Sequence, residues 1–209
     1  MNKFQIIAFT ILFATLTLQA QNQADTKSMM ERVSKKLQSY TTLKTDFSFT
    51  LSNTEEKIDD THDGSLFLNG SKYRLNIMGI LALCNGETLW TINEELKEAN
   101  IIDPDDNEMF NPKSIFTLYE KNFRYEPVSV AGDRVIVDLF PVDKDESYSR
   151  IRMEVFKSKD QIDRVTYYSK DGNQYVIKIK SFSSNIPADD RMFVFDAKQF
   201  PGVKVFDMR

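Results

Sequence analysis

The chain changes its hydrophobic rhythm near residue 40. From Asp25 to about Ser39 the apolar positions Met29, Met30, Val33 and Leu37 recur every three or four residues with Lys, Arg and Glu between them, which predicts one amphipathic helix. The period then becomes two. Phe47, Phe49 and Leu51 alternate with Ser48 and Thr50, and Tyr73, Leu75 and Ile77 alternate with Arg74 and Asn76. The same rhythm returns in Val135, Val137 and Leu139, in Ile151, Met153 and Val155, in Val165 and Tyr167, and in Tyr175, Ile177 and Ile179. These segments read as half-buried antiparallel strands. Asn69-Gly70, Asn85-Gly86, Ala131-Gly132-Asp133 and Lys170-Asp171-Gly172-Asn173 separate them with residues that tolerate positive φ. About eleven strands are expected, and the lack of strand-helix-strand alternation removes the parallel α/β folds. Alternation also predicts that Trp90 and Ile92 share one face with Phe47, Phe49, Tyr73, Leu75 and Ile77. The charge-rich span from Thr54 to Asp63 reads as a long exposed hairpin loop.

Two stretches depart from the strand pattern. Asp103 to Glu108 is polar, and Asn111-Pro112 then caps a helical stretch that places Ile115, Phe116, Leu118 and Tyr119 on roughly one face. A short aromatic helix is therefore expected between two groups of strands. At the amino terminus, Lys3 precedes an apolar run from Phe4 to Leu18 and then Gln19-Ala20. That is the pattern of a secretory signal peptide, residues 1–20, cleaved after Ala20 despite the large Leu18 two positions earlier. The apolar run falls short of the roughly 20 residues of a membrane-spanning helix. No cysteine follows it to accept a lipid, so a soluble protein in a bacterial periplasm is expected. No internal repeat or linker divides residues 21–209, which are expected to form a single domain.

Composition narrows the function classes. The 209 residues carry a formal charge of −4, or −5 once Lys3 leaves with the signal, and the basic residues are scattered among a larger number of acids. A nucleic-acid partner is not expected from such a surface. With 41% hydrophobic and 28% charged residues, neither wholesale disorder nor a polytopic membrane protein fits. Sixteen Phe and eight Tyr beside only seven Gly point to a sheet with tight turns and a large aromatic interior.

Catalytic chemistry finds little to work with. His62, the only histidine, lies in the run Asp59-Asp60-Thr61-His62-Asp63 with no nucleophile on a strained turn near it, so a solvated histidine is the better reading. Asp103, Asp105 and Asn107 match the opening of a calcium loop, but Glu108 stands where Gly is required and Ser114 where a bidentate Glu is required. Cys84 sits among Leu81, Ala82 and Leu83, the setting of an inert buried thiol, and as the only cysteine it excludes an intrachain disulfide. No catalytic residue, metal or cofactor is expected. What remains is surplus hydrophobicity: Met109, Phe110, Ile115, Phe116 and Tyr119 must either fill a closed core or lid a cavity for an apolar ligand, and periodicity alone favours the core.

Three stretches together resemble the LolA family of periplasmic lipoprotein carriers. The first is the amino-terminal helix running into Leu43-Lys44-Thr45-Asp46-Phe47-Ser48-Phe49. The second joins Gly64-Ser65-Leu66-Phe67-Leu68 and Lys72-Tyr73-Arg74-Leu75 to Cys84-Asn85-Gly86-Glu87-Thr88-Leu89-Trp90 and Ile92-Asn93. The third is Phe193-Val194-Phe195 followed by Phe200-Pro201-Gly202-Val203-Lys204-Val205. The resemblance implies a mainly β (α+β) fold, a strongly curved, incompletely closed antiparallel sheet whose concave apolar face is covered by helices. It further implies acyl chains bound in a lidded groove of Phe47, Phe49, Leu66, Leu68, Tyr73, Leu75, Ile77, Trp90, Ile92, Phe110, Ile115, Phe116 and Tyr119. The implied partners are acylated lipoproteins or lipid acyl chains, an inner-membrane lipoprotein-releasing transporter and an outer-membrane acceptor, with the carrier itself a monomer and not an enzyme. A lipid- or lipoprotein-sensing regulatory domain of the same fold is the competing function. Well-known members place Arg-Pro just after the strand matching Leu66 to Leu68, where the Arg helps hold the closed form. Gly70-Ser71 stands there in this chain.

Overall fold

The computed structural model describes residues 25–104 and 123–209. Residues 25–38 are helical (α1), and twelve strands follow: β1 Thr42–Asn53, β2 Ile58–Asn69, β3 Lys72–Ile77, β4 Ile80–Cys84, β5 Leu89–Asn93, β6 Glu98–Ile102, β7 Phe123–Ala131, β8 Arg134–Pro141, β9 Tyr148–Phe156, β10 Gln161–Ser169, β11 Gln174–Ser184 and β12 Lys204–Asp207. They form one open, curved sheet in the order β12-β6-β5-β4-β3-β2-β1-β11-β10-β9-β8-β7. Every pairing is antiparallel except β12 with β6, which is parallel. That parallel edge strand comes from the chain end and lies outside the hairpin series.

Turn chemistry explains the meander. Gly70, Gly86, Gly132 and Gly172 all take positive φ at the turns expected of them. Another turn, Met78-Gly79, joins β3 to β4 with φ of 52° and 74°. Positive φ at both central residues gives a two-residue hairpin whose twist matches the flanking strands. The span 54–63 differs from the expected loop. Only residues 54–57 turn, with the Asn53 side-chain oxygen accepting from the backbone N–H of Glu55 at 3.0 Å and of Glu56 at 3.1 Å. Asn53 already pairs with Ile58, and β2 then runs through Asp59, Asp60, Thr61, His62 and Asp63. Pairing is a backbone property, so a strand can carry charged side chains wherever its surface is solvated.

Register assigns the two faces. On the inner face, which carries α1, Met29, Met30 and Val33 pack with Val135, Val137, Leu139, Ile151, Met153, Val155 and Val165. The opposite, outer face is divided. Across β8 to β10 it is an ion-pair ladder: the buried Asp138 carboxylate accepts from Arg152 Nε at 2.7 Å, Arg152 Nη2 at 2.8 Å and Arg150 Nη1 at 3.2 Å. Arg134 bridges Glu154 at 2.9 Å and Asp163 at 2.8 Å beside it.

Across β2 to β6 the outer face is apolar and is covered by the segment that follows β11. A 3-10 turn, Asp190–Phe193, is capped by the Asp189 side chain accepting from the Arg191 backbone N–H, and it inserts the fully buried Phe193 against Phe67, ring centroids 5.9 Å apart. Phe195 and Phe200 stack at 5.3 Å and, with Val203, pack on Leu81, Leu83, Ile92 and Ala99. The strap ends as β12.

This arrangement corrects the expected placement of Trp90 and Ile92. Tyr73 pairs with Cys84 and Cys84 with Leu89, so Leu89 shares the face of Tyr73. Trp90 and Ile92 pair with Leu83 and Leu81 on the outer face beneath the strap. β4 is apolar on both sides, and in β5 the polar Thr91 and Asn93 share the inner face with Leu89 while the strap covers Trp90 and Ile92, so alternation within the strand points to the wrong face.

Candidate functional site

The second inner-face cluster is the candidate site. It contains Phe47, Leu66, Tyr73, Leu75, Ala82, Cys84 and Leu89, all buried, with the half-buried Phe49, Leu68, Ile77, Ile177 and Ile179 packed against them. Cross-strand pairing brings these residues together from six strands: Phe47 and Phe49 face Ile179 and Ile177, Leu66 faces Leu75, and Leu68 faces Tyr73. Of the residues expected to line a groove, Phe47, Phe49, Leu66, Leu68, Tyr73, Leu75 and Ile77 therefore meet on one face. Trp90 and Ile92 do not. Phe110, Ile115, Phe116 and Tyr119, expected as a lid, lie outside the described residues.

Phe47 occupies a special position. The β1–β11 register shifts between Asp46 and Phe47, which pair with Ser181 and Ile179. Such a bulge bends the strand and re-aims a side chain. The Phe47 ring lies across β2 directly over Gly64, where a Cβ would come within 2.5 Å of Cζ and 2.6 Å of Cε2. Glycine is needed there for this close approach.

An aromatic path that alternation alone did not reveal joins this cluster to the one under α1. Phe49 stacks on Tyr175 at 6.2 Å, Tyr175 meets Tyr167 at 6.0 Å, Tyr167 meets Tyr148 at 4.7 Å, and Tyr148 meets Phe123 at 6.2 Å. The inner face is thus apolar and aromatic from β5 to β7. Burial pushes the Tyr148 phenol up to about 12, with the Glu146 charge adding to it. The Tyr73 phenol is raised by burial and by its neighbour Cys84, and both rings stay neutral at physiological pH. Ile177, Ile179 and Leu89 were also missed as site residues, although the period-two pattern of Tyr175, Ile177 and Ile179 had marked their strand; only register says which face it presents.

The polar candidates are dispersed over β2, β4 and the end of β6. His62 Nε2 lies 2.8 Å from Asp60 Oδ2 on the β1–β2 ribbon. Among the described residues no group of three His, Cys, Asp or Glu could hold a metal ion. Asp103 directly follows β6, while Asp105, Asn107, Glu108 and Ser114 of the calcium-like run lie outside the described residues. Cys84 is buried in β4. On the outer face a cleft of about 650 Å³ opens between Arg74 and the strap residues Asp189, Arg191, Met192 and Val194. Its rim is ionic, since hydrogen bonds from Arg191 hold the Asp189 carboxyl at about 2. No helix among the described residues is long and apolar enough to cross a membrane.

An open curved sheet with an apolar face under a helix is a half-barrel, the fold class of lipid- or lipoprotein-binding carriers and related domains. The chain matches the family described as outer membrane lipoprotein carrier protein LolA over residues 38–196, and it belongs to that family. The match takes in β1 to β11 and the start of the strap. Among solved structures, an uncharacterized conserved protein from Thermus thermophilus has the same fold, with a TM-score of 0.53 and 11% identity over 86% of this chain and 97% of that one. LprF from Mycobacterium bovis follows with a TM-score of 0.49 and 10% identity over 79% of this chain and 95% of that one. A LolA superfamily protein from Nitrosomonas europaea has a TM-score of 0.46 and 11% identity over 81% and 97%. No curated protein matches the chain.

Proposed function

We propose that this protein is a non-enzymatic carrier that holds the acyl chains of lipoproteins against its inner face and moves them through the periplasm from inner to outer membrane. The observation that carries the reading is the half-buried row Phe49, Leu68, Ile77, Ile177 and Ile179 beside a fully buried apolar floor. A closed core would bury such a row; a carrier leaves it for its cargo. The energetic need is plain. An acyl chain of about 15 methylenes exposed to water costs on the order of 12 kcal/mol at ~0.8 kcal/mol per methylene. A water-soluble carrier must offer matching apolar area and still release it, which an apolar groove under movable cover does.

In this reading residues 1–20 are a signal peptide that is removed, and residues 21–209 act as one domain. A membrane transporter donates the lipoprotein and an outer-membrane acceptor receives it. Gly70-Ser71 lies in the β2–β3 turn, so any closed state must be held by contacts other than the family's Arg at that place. The test is mass spectrometry of organic extracts of protein purified from its native compartment, paired with titration of an acyl probe. Bound acylated species at near-equimolar ratio are expected. Clean extracts together with no saturable acyl binding would refute the carrier.

A further inference from the structure

Arg74 is the exception among the arginines of this chain. Eight of the nine pair with an aspartate or glutamate, and Arg74 alone has no ion pair or side-chain hydrogen bond among the described residues. It is half-buried on the outer face of β3, between its cross-strand neighbours Phe67 and Leu83, and it lines the cleft of about 650 Å³ beside the strap. Three aspartates line the same cleft, so Arg74 does not lack a partner for want of carboxylates. Each is held elsewhere. Asp189 accepts from Arg191 Nε at 3.0 Å, Asp190 lies 2.7 Å from Lys72 Nζ, and Asp196 accepts from the Lys198 backbone N–H at 3.0 Å. Met192 and Val194, the latter 41% exposed, supply apolar wall.

A guanidinium cannot shed its charge, and its planar fork of donors matches a carboxylate through two parallel hydrogen bonds. A concave site of this volume with apolar wall and one uncommitted polar anchor has the form of a ligand pocket. The neighbouring charges decide which anion suits it. Arg74, Arg191 and Lys72 stand against Asp189, Asp190 and Asp196, so the cleft is neutral overall and only Arg74 is uncommitted. One negative charge is matched there, whereas a doubly charged phosphate would meet the aspartates.

We propose that this cleft binds a carboxylate carried on a short apolar stem, with the carboxylate on Arg74 and the stem against Met192 and Val194. The C-terminal residue of a protein partner, if apolar, presents that chemistry, and so does a free short-chain carboxylic acid. The site lies on the face of the sheet opposite the acyl groove and is independent of the carrier reading.

The experiment follows the methyl resonances of Met192 and Val194 in the purified protein. It is titrated with the tripeptide N-acetyl-Gly-Ala-Val and its C-terminal amide, and with hexanoate and hexanamide. At least one acid is expected to shift these methyls saturably and to bind about ten- to a hundredfold more tightly than its amide, the range of hydrogen bonds to a charged group. Arg74→Gln is expected to bring the acid-to-amide ratio to about one without lowering the unfolding midpoint, because no bond within the protein is lost. Saturation by the tripeptide alone supports the site with a protein partner as its source. Saturation by hexanoate, alone or with the tripeptide, supports it with the carboxylate itself as the ligand. No saturable shift with either acid overturns the assignment, as does a ratio that survives Arg74→Gln or a midpoint lowered by that change. Arg74-dependent binding of inorganic phosphate as tight as that of the acids would overturn the choice of a singly charged ligand.

Discussion

Substituting Gly64 by Ala tests the packing of the inner face most directly. The Gly64 backbone does not lie in the left-handed region, so alanine is conformationally acceptable there and would by itself favour the strand by about 0.5–1 kcal/mol. The added methyl, however, would sit 2.5 Å from Phe47 Cζ and 2.6 Å from Cε2, well inside contact distance. Phe47 is anchored at a bulge in β1 and is 6% exposed, so its ring has little room to retreat. Overpacking of this kind costs about 1–3 kcal/mol, leaving a net loss of about 0–2.5 kcal/mol for Gly64→Ala, centred near ~1 kcal/mol. In a domain of this size each kcal/mol lost lowers the melting temperature by roughly 2–4 °C. Phe47→Ala alone should cost about 3–5 kcal/mol through the cavity it leaves. In that background the methyl meets no ring, and Gly64→Ala should become neutral or stabilising. The remaining contact, 3.0 Å to the Asn76 carbonyl oxygen, is present in both backgrounds and cancels in the cycle. Urea unfolding of the four proteins gives the coupling energy, expected at about 1–3 kcal/mol. Equal costs of Gly64→Ala with and without Phe47 would show that the ring is not what the glycine accommodates.

Two further outcomes follow from the division of the sheet into faces. Trp90 lies beneath the strap, so saturating acyl ligand should leave its emission unchanged, whereas Phe200→Ala should shift it to the red; a ligand-induced shift as large as that of Phe200→Ala would place the ligand on the outer face. Asp138→Ala removes the shared acceptor of Arg150 and Arg152 and should cost about 3 kcal/mol in urea unfolding, because two guanidinium groups lose their counter-charge at a site where the carboxylate is 6% exposed. A loss under about 1 kcal/mol would mean that solvent replaces the carboxylate at little cost.

Whatever depended on neighbours along the chain was legible in the sequence itself. The three- and four-residue spacing of Met29, Met30, Val33 and Leu37 marked α1, and period-two alternation marked β1, β3 and β8 to β11, because those patterns record which side of a single element meets the core. Glycine turns were visible for the same reason, since positive φ is a local demand. Resemblance in residues scattered from Leu43 to Val205 was enough to place the chain in its family. Tertiary structure decided which face each strand presents. For β4 and β5 the answer came from the Tyr73–Cys84–Leu89 pairing and from a strap more than 90 residues further along the chain, which buries the side that would otherwise be polar. The strand character of Asp59 to Asp63 was likewise hidden, because side-chain charge says nothing about backbone pairing with β1. Nor could spacing show that Phe47 needs Gly64, 17 positions away. That depends on register, a relation between strands that neither strand encodes alone.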